Sequence, residues 1–273
     1  MSFFIWIAFA AILVWLVVLQ FRRFRRNKLF LKPLPPDWIK ILECNVPLYL
    51  LLPQNLRKEL HGWINIFLDE KEFIGCAGLE ITNEIRLTIA GNASILLLKR
   101  DKRCYPGFTS ILVYPDTYVA KQIKYDGLVA VHEDSARAGE SWHRGPIVLS
   151  WADVMRGTLD QSDGHNVVLH EFAHKLDEEN EIMDGLPVLR DRTHYAEWTE
   201  VLTREYDLLQ SRVDHGTNTV IDRYGAVSPP EFFAVATESF FEKPLQMKNK
   251  LPELYKQLKR FYNLDPAAWH QSS

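Results

Sequence analysis

The segment HNVVLHEFAHKLD, residues 165–177, constrains this chain more than any other stretch of its sequence. Val167, Val168, Leu169, Phe172, Ala173 and Leu176 recur with a helical period, so the segment predicts a largely buried helix with Asp163 as its N-cap. His170 and His174 then stand at i and i+4 on one face, one turn apart, where both imidazoles can address a single ion. Glu171 projects to the side of that face and can take a proton from an attacking water. Two histidines amid apolar surface ask for more polar partners than a core normally supplies. The fold must therefore bring a further group to this helix.

A catalytic zinc takes three protein ligands and keeps one position open. The pattern with a third histidine six residues on is excluded, because position 180 is Asn and position 177, where that pattern has Gly, is Asp. The best donor is SPPEFFAVATESFFEKP, residues 228–244, which offers Glu231, Glu238 and Glu242. Ser228, Pro229 and Glu231 read as a capping box with Pro at the first helical position, which gives Glu231 a local structural role. Glu242 stands beside Lys243 and Pro244 at the helix end and reads as a solvated residue. Glu238 emerges from an apolar face made by Ala234, Val235 and Phe241, where an unpaired charge is expensive and a dication would resolve the cost. Glu238 is thus the expected third ligand. Asp177, seven residues from His170 on the same face, is the rival, and otherwise a partner for a histidine nitrogen. His143 and His165 read as surface or hydrogen-bonding residues. Tyr224 can donate a hydroxyl to an oxyanion, with a claim no stronger than that of Tyr195 or Tyr206.

At the N-terminus every residue from Phe3 to Leu19 is apolar, a run of 17. No surface helix of a globular protein tolerates apolar side chains all the way round. A helix of that run covers roughly 26 Å, close to the ~30 Å of a bilayer core. No positive residue precedes the run, against a cleaved signal peptide, whereas Arg22, Arg23, Arg25, Arg26 and Lys28 follow it. The expectation is a single-pass anchor in the inner (cytoplasmic) membrane at residues 1–21, with the remainder facing the cytoplasm. Residues 22–36 read as a basic and proline-rich linker, 37–265 as the folded domain and 266–273 as a tail.

That domain can bury a sizeable core, with 47% of the chain hydrophobic. Three cysteines, Cys44, Cys76 and Cys104, exclude a four-thiolate zinc site and a disulfide scaffold. Without the five positives of the linker the chain carries 27 basic against 35 acidic residues, which argues against direct contact with nucleic acid. Helical periodicity appears at 54–71, 80–99, 163–178, 190–210, 229–242 and 247–263, and short β-branched runs at 111–115, 126–134 and 145–151 read as strands. Segregated helices with a small sheet predict an α+β class. The run GESWHRGPIVLSW, 139–151, ends shortly before the histidine helix, where a strand could pair with an extended peptide.

The segments GLEITNE (78–84), GESWHRGPIVLSW, HNVVLHEFAHKLD and PPEFFAVATESFFEKP occur in the order found in the MtfA-type zinc-dependent peptidases, and the chain resembles that family over most of residues 37–265. The resemblance implies a zincin-like, gluzincin-type domain with zinc on His170, His174 and Glu238 and with Glu171 as general base. It further implies aminopeptidase-like hydrolysis of small peptides and contact with a transcriptional regulator. The N-terminal span departs from the soluble members. The reading is a membrane-tethered zinc metallopeptidase. Its competitor is a regulatory protein that sequesters a transcriptional repressor and keeps zinc for structure alone.

Overall fold

The computed structural model describes residues 2–100, 103–116, 118–126, 129–137, 139–141, 145–159 and 163–269. A long helix, α1 (Ser2–Phe30), is followed by α2 (Pro36–Asn45), α3 (Pro47–Leu51) and α4 (Gln54–Glu70). Strand β1 (Glu72–Gly75), helix α5 (Asn83–Ile95) and strand β2 (Ser110–Tyr114) come next. Then come β3 (Tyr118–Asp126), β4 (Val129–Arg137), β5 (Gly139–Ser141), β6 (Ile147–Ser150) and α6 (Trp151–Leu159). The remainder is helical: α7 (Val167–Asp177), α8 (Tyr195–Asp214), α9 (Pro229–Glu242), α10 (Pro244–Lys250), α11 (Pro252–Tyr262) and α12 (Pro266–Trp269).

Proline sets much of this punctuation. Helices α2, α3, α9, α10, α11 and α12 each open on a proline, whose fixed φ suits a first helical turn and whose missing N–H is not needed there. For that reason Pro36 starts a helix at the end of the segment that reads as a basic and proline-rich linker, and Pro252 divides the periodicity of 247–263 between α10 and α11. At the other end of the range, β1, β2 and β6 run parallel, with Glu72 opposite Ser110 and Ile111 opposite Ile147. Strand β5 pairs antiparallel with β6 at the edge of this sheet, and β3 and β4 form a separate hairpin. All four residues of β6 are buried, and α7 lies against β5 and β6. Phe172 of α7 packs its ring 4.8 Å from Tyr105 and 5.4 Å from Phe67, which joins the histidine helix to α4 and to the segment before β2.

Two expectations are corrected. The α+β class gives way to a mostly helical architecture with a small sheet, because residues 36–51 and 151–159 are helical as well and the strands of the sheet are short. The membrane anchor, and with it the single-pass inner-membrane location, is overturned: among the described residues no helix is long and apolar enough to cross a membrane. The apolar run belongs to a helix that continues without a break through the basic cluster and onto α4. There Arg25 pairs with Asp69, Arg26 with Glu70 at 3.2 Å, and the Asn65 amide donates to the carbonyls of Leu29 (3.2 Å) and Lys32 (2.7 Å). Phe30 meets Trp63 edge to face, and the two helices come so close that a Cβ on Gly62 would lie 2.6 Å from the Phe30 carbonyl oxygen. Residues 22–30 are thus part of a docked helix.

Candidate metal centre

The site forms where α7 packs against α9. Helix α7 begins one residue after Asn166, whose side-chain oxygen accepts the Leu169 N–H at 3.1 Å. Asn166, rather than Asp163, is the cap; Asp163 instead accepts the His165 N–H at 2.9 Å in the turn before it. This start sets the rotation of the helix and turns His170 and His174 toward α9. Their Nε2 atoms stand 3.2 Å apart.

The carboxylate between them is that of Glu231. Its Oε2 lies 3.0 Å from His170 Nε2 and 3.4 Å from His174 Nε2. The predicted cap is present, with the Glu231 N–H donating to the Ser228 hydroxyl at 3.4 Å, but the Glu231 side chain reaches across to α7. Glu238 sits on the opposite edge of the same imidazole, its Oε1 2.8 Å from His170 Nδ1, while its Oε2 accepts the Asn166 N–H at 2.5 Å. One imidazole offers one nitrogen to an ion and uses the other to hold its orientation, so these two carboxylates occupy different positions by geometry. Glu238, the expected third ligand, thus stands at Nδ1 of His170, while Glu231 stands beside both Nε2 atoms. Among the described residues, His170, His174 and Glu231 bring one ligand atom each within 4.8 Å of one another.

Asp177, the rival, is fully buried at the end of α7 and its Oδ2 accepts the Gly185 N–H at 2.8 Å. Glu242 is buried too, contrary to its reading as a solvated residue, and its Oε1 accepts from the Asn166 amide at 3.1 Å. Tyr224 places its ring 5.9 Å from that of His170, closer to the site than sequence could assign, whereas Tyr195 and Tyr206 bond to Leu189 N and the Ala226 carbonyl. His165 lies 3.4 Å from Asp222 on the loop that carries Tyr224. His143 lies outside the described residues. Asn166 is the participant that sequence reasoning missed; its signal was the strong N-cap preference of asparagine directly before the apolar run.

The electrostatics fit a bound cation. Glu171, Glu238, Glu242 and Asp177 are all buried around the histidine pair, a crowding of carboxyls that low dielectric penalises. Burial opposes charge on His170, but the hydrogen bonds it donates to Glu231 and Glu238, with the charges of Glu238 and Glu171, hold its imidazole well above the usual range. Burial would raise Glu231, and the two histidines outweigh it and hold its carboxyl well below the usual range. His174 is lowered, chiefly by burial. Burial pushes Glu242 up to about 8 and Asp177 up to about 7. Two imidazole nitrogens and one carboxylate oxygen, converging in a negative and largely dry seam, are a donor set suited to a borderline-soft dication.

Comparison with known proteins agrees with this chemistry. Residues 21–263 match the family described as Glucose-regulated metallo-peptidase M90. The chain is 43% identical over 244 residues to an uncharacterized protein of Synechocystis sp., covering 89% of each. It is 34% identical over 227 residues to the Mlc titration factor A of Serratia proteamaculans (82% of this chain, 86% of the relative) and 33% identical over 230 residues to that of Yersinia pestis (82% and 83%). With a helix bearing two histidines, a glutamate from a second helix beside both, and a family match over nearly the whole chain, the protein belongs to the MtfA-type, Glucose-regulated metallo-peptidase M90 family.

Proposed function

We propose that this chain is a zinc-dependent peptidase in which His170, His174 and Glu231 hold the ion and Glu171 is the general base. The observation that carries the reading is the convergence of both Nε2 atoms with Glu231 Oε2 in the α7–α9 seam. A dication held there would polarise a scissile carbonyl and make water a nucleophile near neutral pH. Glu171 is buried beside His170, close enough for its charge to act on that imidazole, and takes the proton of the attacking water for delivery to the leaving amine. Glu238 accepts the Nδ1–H of His170 and fixes the ring with Nε2 toward Glu231 and His174, where it would be free to hold the ion. Tyr224, half-exposed with its ring near His170, donates its hydroxyl to the developing oxyanion. An extended peptide would pair with β5, an edge strand of the sheet that contacts α7. Small peptides cleaved from the amino end are the proposed substrates.

The name of the Serratia and Yersinia relatives favours a second property, docking of a transcriptional regulator. The Glu171→Gln variant separates the two. It should keep one zinc per chain and still bind such a regulator, while peptide hydrolysis falls by about 10²- to 10⁴-fold. Unchanged hydrolysis at full zinc occupancy would remove Glu171 from the mechanism. Hydrolysis insensitive to a chelator would remove the metal from it.

A further inference from the structure

The face of α7 that carries the metal-binding pair does not end at His174. His170, His174 and Asp177 recur at i, i+4 and i+7, so the last residue of the helix is in line with the two imidazoles. Asp177 is completely buried in a place where desolvation disfavours its charge, yet the bond that occupies it runs to backbone: Oδ2 accepts the Gly185 N–H at 2.8 Å. Gly185 is held from a second side by the Trp198 indole N–H, which donates to its carbonyl at 3.5 Å.

The turn thus secured is pressed against α9. Gly185 has a φ of +79°, open to glycine and strained for other residues, and a Cβ built on it would lie 2.8 Å from the Pro229 carbonyl oxygen and 3.4 Å from the Pro229 Cβ. Pro229 is the first residue of α9, two residues before Glu231. A continuous chain of contacts therefore runs from the end of α7, through Gly185, into the helical turn that presents the third carboxylate.

We infer that Asp177 is a positioning residue: by holding the Gly185 turn on Pro229 it sets where the Glu231 carboxylate stands relative to His170 and His174. The inference rests on the reading of Glu231 as a ligand. Asp177 acts through the Gly185 turn and is not itself one of the donors. Its two ends are tied to the two halves of the donor set, because it sits on the histidine helix and acts on the start of the glutamate helix. A displacement of a few tenths of an ångström in the first turn of α9 shifts Glu231, while Glu238, two turns further along, keeps its bond to His170 Nδ1.

The test is zinc affinity of the full chain, measured by competition with a chromophoric chelator, together with the visible absorption of the cobalt(II)-substituted protein. Glu231→Ala should abolish most binding; wild-type affinity in that variant would overturn the ligand reading and the inference with it. Given that loss, Asp177→Ala should weaken zinc by about 10- to 100-fold, the range typical of groups behind a ligand, and shift the cobalt spectrum. Asp177→Asn, whose amide oxygen can still accept the Gly185 N–H, should return affinity and spectrum to within a few-fold of wild type. Gly185→Ala, which leaves Asp177 in place and pushes on Pro229, should reproduce the Asp177→Ala phenotype and covers the case in which that variant fails to fold. Wild-type affinity and spectrum in Asp177→Ala or in Gly185→Ala would overturn the inference. So would a loss in Asp177→Asn as deep as that in Glu231→Ala, which would make Asp177 a ligand.

Discussion

Helix α9 presents two faces of opposite character, although all of it from Phe232 to Glu242 is buried. One face is aromatic. Phe233 packs 6.1 Å from Trp198 and 5.6 Å from Phe261, Phe240 packs 5.1 Å from Tyr255, and Phe241 lies 5.1 Å from Tyr262, so α8, α11 and α9 meet in a dry contact. The other face carries Glu231, Glu238 and Glu242 against α7, where each carboxyl is held by an imidazole or by Asn166. Burial of aromatic rings is among the largest favourable contributions a core contains, whereas buried carboxyls rarely repay their desolvation. The contrast teaches that the aromatic face supplies the stability that offsets the buried carboxyls of the acidic face.

That division of labour can be broken from either side. Phe233→Ala should cost about 3–5 kcal/mol in urea unfolding, the usual range for a fully buried phenylalanine, and leave the zinc affinity of the folded fraction intact. A loss of zinc without a loss of stability would reverse the assignment of the two faces. Glu242 probes the acidic face in the metal-free protein. Its carboxyl titrates near 8 when folded, pushed up by burial, against an ordinary 4.5, so between about pH 4.5 and pH 8 the unfolded chain has released a proton that the folded chain retains. Its contribution to stability therefore falls as pH rises through that window. Glu242→Gln should raise Tm by several degrees at pH 8, with the gain fading toward pH 5. A lower Tm at pH 8 would mean that the ionised carboxyl is stabilising. The smallest effect belongs to the surface: Arg25→Ala removes an exposed pair with Asp69 at the α1–α4 contact and should cost less than about 1 kcal/mol. A larger loss would place α1 docking among the main sources of stability.

Sequence periodicity located α4, α7, α8 and α9 because each is a long amphipathic or buried helix whose spacing is a local property. The proline-started helices α2 and α3 escaped it, since Pro36 and Pro47 are breakers in the middle of a helix and starters at its end. In the site, the i and i+4 pair His170 and His174 was legible for the same local reason. The choice among Glu231, Glu238 and Glu242 was not, because it depends on how α9 is rotated and translated against α7. The Ser228 capping box gives Glu231 a local role, yet the box involves its backbone N–H and leaves the carboxylate to reach both histidines. The apolar run of α1 misled in the opposite way, because its composition described seventeen residues and the structure resolves a helix of 29 that continues onto α4.

The central claim is that Glu231 shares an ion with His170 and His174 while Glu238 orients His170 from behind. Zinc dissociation constants of the full chain carrying Glu231→Ala or Glu238→Ala, each compared with wild type, test it most directly. The account predicts near-complete loss of zinc in Glu231→Ala and a weakening of about 10- to 100-fold in Glu238→Ala, the scale expected for a group that acts through a ligand. Zinc retained in Glu231→Ala and lost in Glu238→Ala would contradict it.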